Sequence, residues 1–188
     1  MILPIYGYGN MVLRGKGEFI SKEYPKLDEL INNMFETMYT AEGVGLAAQQ
    51  IGLNIKLFII DADIYADEHP ECKNFKKIFI NAEIIEESGN EWYYNEGCLS
   101  FPGIREDVSR KSNLKIKYFD SEFKEYTEEY NGILARIIQH EFDHNQGVFF
   151  IDKINPLKKV LIKNKLNNII TGKINVKYPM KFANAKKK

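Results

Sequence analysis

Residues 131–144 read Asn131-Gly132-Ile133-Leu134-Ala135-Arg136-Ile137-Ile138-Gln139-His140-Glu141-Phe142-Asp143-His144. Ile133, Leu134, Ile137 and Ile138 form an apolar stripe at helical spacing. Asn131 is a good residue to cap a first turn, and Gly147 is a natural stop. The segment is predicted to be a helix that lays its aliphatic stripe against the rest of the chain. Its last turn carries His140-Glu141-Phe142-Asp143-His144. Residues four apart on a helix stand on one face, one turn apart. Two imidazoles so placed can hold one divalent ion at about 2.0–2.1 Å. Glu141, beside the first imidazole, can reach a water at that ion and take its proton. The pentad is an H-E-x-x-H pattern. A pair of half-exposed surface histidines is the competing account, but the chain has only three His and two stand here.

An ion that does chemistry needs a third protein ligand and an open position. Protease-type sites take that ligand from downstream. Here no His follows His144, and the only acidic residue beyond it is Asp152. The third ligand is therefore expected upstream, and the candidate is Cys98 in Glu96-Gly97-Cys98-Leu99-Ser100. A thiolate suits a transition metal. A buried structural thiol is the plainer account of Cys98 taken alone. Gly43-Val44-Gly45-Leu46-Ala47-Ala48-Gln49-Gln50 is a run of small residues that lets another backbone come close. It lacks the preceding strand, third Gly and Lys-Ser/Thr of a nucleotide loop.

Outward from these segments, Leu27, Leu30, Ile31, Met34, Phe35 and Met38 predict an amphipathic helix from about Lys26 to Thr40. Lys56 to Asp61 and Lys77 to Ile85 are β-branched and aromatic and predict strands. The polar stretch between them, Ala62 to Lys76, predicts a surface loop, with His69 and Cys72 as an unpromising pair of metal ligands. Leu114 to Tyr118 and Phe123 to Tyr130 predict a hairpin with one wet face. A third helix is expected from Pro156 to about Ile170, before Gly172. A last strand is expected within Ile174 to Phe182, and a frayed end from Ala183 to Lys188.

The chain has 188 residues and 44% hydrophobic composition, which suits one globular domain spanning 1–188. There is no apolar run long enough to span a bilayer and no secretory signal pattern, so no membrane contact and a cytoplasmic, reducing setting are expected. The net charge is zero, yet Lys153 to Lys188 holds eleven Lys and no acidic residue. An acidic body with a basic segment, 153–188, suggests an anionic partner. A Lys-rich composition along the whole chain accounts for much of the same asymmetry.

The segments Gly43 to Gln50, Glu96 to Ser100 and Gln139 to His144 together resemble peptide deformylase. That family carries G-x-G-L-A-A-x-Q, E-G-C-L-S and Q-H-E-x-D-H in this order, and every fixed position is matched. The likeness runs from about Ile2 to Asp152. It implies removal of the N-formyl group from the initiator Met of newly made proteins, with N-formylmethionyl nascent peptides as substrate. It implies Cys98, His140 and His144 as ligands of Fe2+, with Zn2+, Ni2+ or Co2+ possible in purified protein. It implies Glu141 as general base and then acid, and the Leu99 N–H and the Gln50 amide as oxyanion donors. Gly43, Val44, Gly45 and Leu46 would pair with the substrate backbone. Val44 and Ile137 would line a Met-sized pocket, and Arg105 would hold substrate carbonyls or site groups. Gln139 and Asp143 would brace the site, and Glu96 is expected to pair with Arg105. Some family branches dock at the ribosome through the C-terminus, which makes ribosome contact by segment 153–188 an expectation. A monomer is expected.

The implied fold is α+β, with antiparallel sheets packed around a central helix that carries the H-E-x-x-H motif. The alternative function is a zincin-like metallopeptidase. The upstream position of Cys98 and the missing downstream ligand weigh against it.

Overall fold

The computed structural model describes residues 1–184. It is an α+β structure. Strand β1 (Ile5–Tyr6) is followed by helix α1 (Leu27–Thr40) and strands β2 (Gly45–Ala47) and β3 (Leu57–Asp61). A long hairpin follows, β4 (Lys76–Gly97) and β5 (Arg105–Phe119), then β6 (Glu125–Asn131). Helices α2 (Gly132–Asn145) and α3 (Pro156–Ile170) and the short strand β7 (Met180–Lys181) complete the chain. Strands β2 to β6 form one antiparallel sheet in sequence order, with β2 at one edge.

Strand β3 shows why the sheet sits where it does. Its run Leu57-Phe58-Ile59-Ile60 is apolar without alternation because both faces are covered. Leu57 and Ile59 pack with Ile31, Met34, Phe35 and Met38 of α1. Phe58 and Ile60 pack with Ile133, Leu134, Ile137 and Ile138 of α2. The two predicted helical stripes thus close on opposite faces of the same strands. A third cluster, with Leu13, Phe101, Phe149, Phe150, Ile162 and Ile169, fills the space beside α2.

Helices α1 and α3 follow the predicted spans within a residue. Asn155 caps α3 by accepting from the Leu157 N–H at 2.8 Å. Gly147 and Gly172 adopt left-handed φ of 70° and 68° just past their helices, as a C-terminal glycine does. Asn131 stands at the N-terminal cap of α2, but its side chain makes no capping hydrogen bond.

Several expectations are corrected. Strand β4 continues to Gly97 instead of stopping near Ile85. Its middle, Glu86-Glu87-Ser88-Gly89-Asn90-Glu91, has poor strand propensity. It is held by pairing with β5, through register shifts between Ile80 and Glu83 and between Ser88 and Glu91. The stretch Ala62 to Lys76 contains two short 3-10 turns, and Cys72 within it is wholly buried in the α2-side core. Burial pushes the Cys72 thiol up to about 11, which fits a structural residue. The last strand shrinks to Met180–Lys181, paired in parallel with Ile5–Tyr6. Segment 153–184 is not a dangling tail, because Ile154, Ile162 and Ile169 are core residues. Of the expected frayed end, Asn184 donates its backbone N–H to Ile170 O at 2.8 Å, and residues 185–188 lie outside the described residues.

Phe79 stacks on Phe58 at 4.6 Å and meets Tyr118 at 4.4 Å, with no exposed surface. Phe79→Ala should therefore cost about 3–5 kcal/mol in urea unfolding. Leu157→Ala, on the exposed face of α3, should stay within about 0.5 kcal/mol of the parent.

Candidate metal centre

Helix α2 presents His140 and His144 one turn apart, with ring centroids 5.3 Å from each other. Cys98 stands one residue past the end of β4, on a turn closed by the Phe101 N–H donating to Cys98 O at 2.9 Å. The hairpin folds over α2 and brings the thiol to 3.2 Å from His144 Nε2. Donor atoms of Cys98, His140 and His144 all lie within 4.8 Å of one another. Donors at about 2.3 and 2.1 Å from one tetrahedral ion stand about 3.6 Å apart, so this spacing suits a shared ion. His144 Nδ1 is buried without a hydrogen-bond partner among the described residues. Two imidazoles and a thiol so crowded make a donor set of the kind that borderline transition metals take.

One carboxylate orients this set. His140 Nδ1–H donates to Glu96 Oε2 at 2.8 Å, which leaves Nε2 for an ion. Arg110 donates to Glu96 from Nε at 2.7 Å and from Nη2 at 3.0 Å. Arg136 Nη1 adds a third donor at 2.8 Å. Arg110 reaches further to Asp143 Oδ2 at 2.6 Å, and Arg136 to the Trp92 and Val108 carbonyls at 2.7 and 2.9 Å. Burial opposes the Glu96 charge, yet hydrogen bonds from His140 and Arg110 hold its carboxyl well below the usual range. Burial likewise opposes charge on His140, but the Cys98 sulphur and Glu96 push that ring up to about 10. Burial and the neighbouring His140 hold His144 far below its ordinary value.

Glu141 is buried, and its Oε2 has no hydrogen-bond partner among the described residues. Burial pushes its carboxyl up to about 7. Its space comes from β2. A Cβ on Gly45 would stand 2.7 Å from Glu141 Cγ and closer still to the carboxylate. The glycine therefore admits the acid itself. Gln50 lies alongside. Its Oε1 accepts the Ala47 N–H at 2.8 Å, which aims the NH2 at Ser100 Oγ (3.2 Å) and Cys98 Sγ (3.5 Å).

These groups open onto a cleft of about 470 Å³. Of the residues singled out in the sequence, Gly43, Val44, Gly45, Gln50, Cys98, Leu99, Arg105, Ile137, His140 and Glu141 line it, while His144 lies buried behind them. Leu46 does not line it. Gly45 and Ala47 face α2, so alternation turns the Leu46 side chain into the α1 core. Glu96 does not pair with Arg105 either. Arg105 sits opposite Gly97 in the hairpin, on the face that Asn95 occupies, and donates to Asn95 Oδ1 at 2.9 Å. Arg110 sits opposite Trp92, on the same face as Glu96. Gln139 Nε2 bonds the Lys111 carbonyl at 3.1 Å, and Asp143 holds Arg110, so both brace the site from outside.

Sequence reasoning missed Arg110, Arg136 and Tyr178. The chain has only four Arg, and three of them stand at this site, a scarcity that could have flagged them. Tyr178 comes from the C-terminal segment, where Asn175, Val176 and Lys177 also border the cleft. The alternation of Ile174 to Met180 was its only local signal.

The family model for polypeptide deformylase matches residues 2–160. A peptide deformylase of Christiangramia forsetii is 54% identical, the match covering 100% of this chain and 99% of that one. A peptide deformylase of Thermotoga maritima has a crystal structure that superposes with TM-score 0.75 at 37% identity, covering 83% of this chain and 99% of that one. One from Arabidopsis thaliana, solved with an inhibitor, gives TM-score 0.80 at 30% identity, covering 91% and 92%.

Gly45→Ala should leave the far-UV circular dichroism unchanged while displacing Glu141. Displacement of about an ångström at a reacting group can cost about 100-fold in turnover. Steady-state kinetics should show that loss in kcat.

Proposed function

The chain belongs to the polypeptide deformylase family, a metal-dependent hydrolase acting on N-formyl peptides, and we propose how its own residues carry that reaction. Cys98, His140 and His144 would hold a divalent ion, Fe2+ in the cell, with Zn2+, Ni2+ or Co2+ as substitutes after purification. When bound, such an ion polarises a carbonyl and lowers the pKa of a water at the site to about 7. Helix α2 is thereby the central, ligand-bearing element. The observation that carries this reading is the convergence of the three donors, two of which, Cys98 and His140, line the cleft together with Glu141 and Gln50 while His144 lies buried behind them.

Glu141 Oε2 takes a proton from water as its oxygen adds to the formyl carbon. Glu141 then delivers that proton to the leaving amine as the C–N bond breaks, giving formate and a free N-terminus. The Gln50 amide and the Leu99 N–H donate to the formyl oxygen as negative charge builds there. One such donor is worth roughly 3–4 kcal/mol. Among the described residues no strand pairs with the outer edge of β2, so Gly43 to Leu46 can take the peptide as an added strand through their backbone. Val44 and Ile137 receive the Met side chain. Arg105, at the cleft rim, meets a substrate carbonyl. A zincin-like peptidase is disfavoured, since Cys98 occupies the position that such sites fill from downstream.

We further propose one domain over 1–188, a monomer and a cytoplasmic setting. No helix is long and apolar enough to cross a membrane among the described residues. Ribosome contact would fall to α3, which exposes Lys163 and Lys165 beside Leu157, Val160 and Leu161. Point substitutions on α3 are the way to probe this contact, since removing the segment after Asp152 would strip Ile162 and Ile169 from the core.

Anaerobically purified, Fe-loaded protein should release formate from formyl-Met-Ala, and intact substrate after such incubation would sink the reading. Glu141→Ala should keep its metal content and lose about 100- to 10,000-fold in kcat. An Fe2+ site with a thiolate should lose activity in air. The double charge reversal Lys163→Glu, Lys165→Glu should weaken ribosome co-sedimentation at low salt, and leave formate release as in the parent.

A further inference from the structure

The turn that carries Cys98 and Leu99 is held by both ends of the chain. Three successive carbonyls are each bonded by a different element. Cys98 O accepts the Phe101 N–H within the turn at 2.9 Å. Leu99 O accepts the Tyr178 hydroxyl at 2.7 Å. Ser100 O accepts the Tyr8 N–H at 2.9 Å. Tyr8 and Tyr178 flank the two-stranded sheet of β1 and β7, where Ile5 pairs with Met180 and Tyr6 with Lys181. Ile5 N–H also donates to Pro179 O and Gly7 N–H to Lys181 O, each at 2.9 Å. The N- and C-terminal strands thus form a clasp behind the turn. The family model ends at residue 160, so the C-terminal half of this clasp lies beyond what the family match covers.

We propose that Tyr178 is a positioning residue for the deformylation reaction, acting through Leu99, and that Asn175 to Tyr178 is a working wall of the substrate cleft. The inference rests on the reading of the Leu99 N–H as an oxyanion donor. A peptide unit is planar, so the chain can re-aim an N–H only by rotating φ and ψ on either side of it. The Leu99 N–H shares its plane with Cys98 C=O, which the Phe101 N–H fixes. The next plane contains Leu99 C=O, and Tyr178 fixes that one. With both planes anchored, the Leu99 N–H points in one direction before substrate arrives. Such preorganisation is what makes a donor effective in the transition state. Tyr178 is half-buried and borders the cleft, so its ring also replaces solvent along that wall. Gln50, through Ser100 Oγ, ties the second proposed donor to the same turn.

The test is Tyr178→Phe, which deletes one hydroxyl and keeps the ring. Formate release from formyl-Met-Ala should show kcat down about tenfold with KM within about twofold, since loosening one donor costs less than the 100- to 1,000-fold of removing it. Metal content and melting temperature should match the parent. A merely structural tyrosine would lower the melting temperature and leave kcat of the folded fraction unchanged. In parallel, amide hydrogen exchange should speed up at Leu99 and Ser100 in the variant, and not in α3. Parent-like kcat, or parent-like exchange at Leu99, would overturn the proposal. Failure of the underlying reading looks different: the parent itself would release no formate, and the exchange measurement would still decide whether Tyr178 holds the turn.

Discussion

A single buried carboxylate sets the terms for the rest of the molecule. Glu96 accepts four hydrogen bonds, two from Arg110 and one each from Arg136 and His140. A charge removed from water is tolerable only when its partners are in place. Those partners come from β5 and from α2, while Glu96 stands at the end of β4. The network therefore forms only when the hairpin has closed on the helix. The same closure turns the His140 Nδ1 toward Glu96 and brings the Cys98 thiol to the His144 ring. Fold and ligand geometry are consequences of one electrostatic requirement, because leaving any of these charges unmatched would cost several kcal/mol.

The cleft is built from elements of different rigidity. Its floor rests on α2 and on the end of a long paired strand, which hold side chains more tightly than free loops do. One wall is the edge strand β2, where Gly45 is small because Glu141 needs the space. The opposite wall is the C-terminal segment, returned to the site by the pairing of β7 with β1. What composition suggested was a basic appendage is, in its described part, core and one wall of the cleft. Lys163 and Lys165 are exposed on α3, away from the cleft lining, so an anionic partner and the cleft can be served by different faces.

Legibility from the sequence followed the range of the interactions. Helix α1 was read from its apolar period and α3 from Pro156 and Gly172, since helical period and end signals act over a few residues. Strand β4 was read twelve residues short, because its polar middle is a strand only by virtue of its partner. That the Leu46 side chain turns into the α1 core was not legible, because motif position says nothing about which face a strand residue takes. Glu96 was matched with Arg105 because nearness along the chain is a poor guide across a hairpin, where face decides contact.

The order of residues alone dictates the chemistry available within one helical turn and one tripeptide: two imidazoles four apart, an acid beside the first, and a thiol next to a backbone N–H. Backbone geometry makes those relations unavoidable once the local element forms. It takes the folded chain to show that Arg110 and Arg136 neutralise Glu96, that Gly45 makes room for Glu141, and that Tyr178 reaches Leu99 from 79 positions away. These depend on register accumulated along a bulged hairpin and on the meeting of the two chain ends. Neither is encoded in any short stretch of residues, because each arises from how many weak contacts close together.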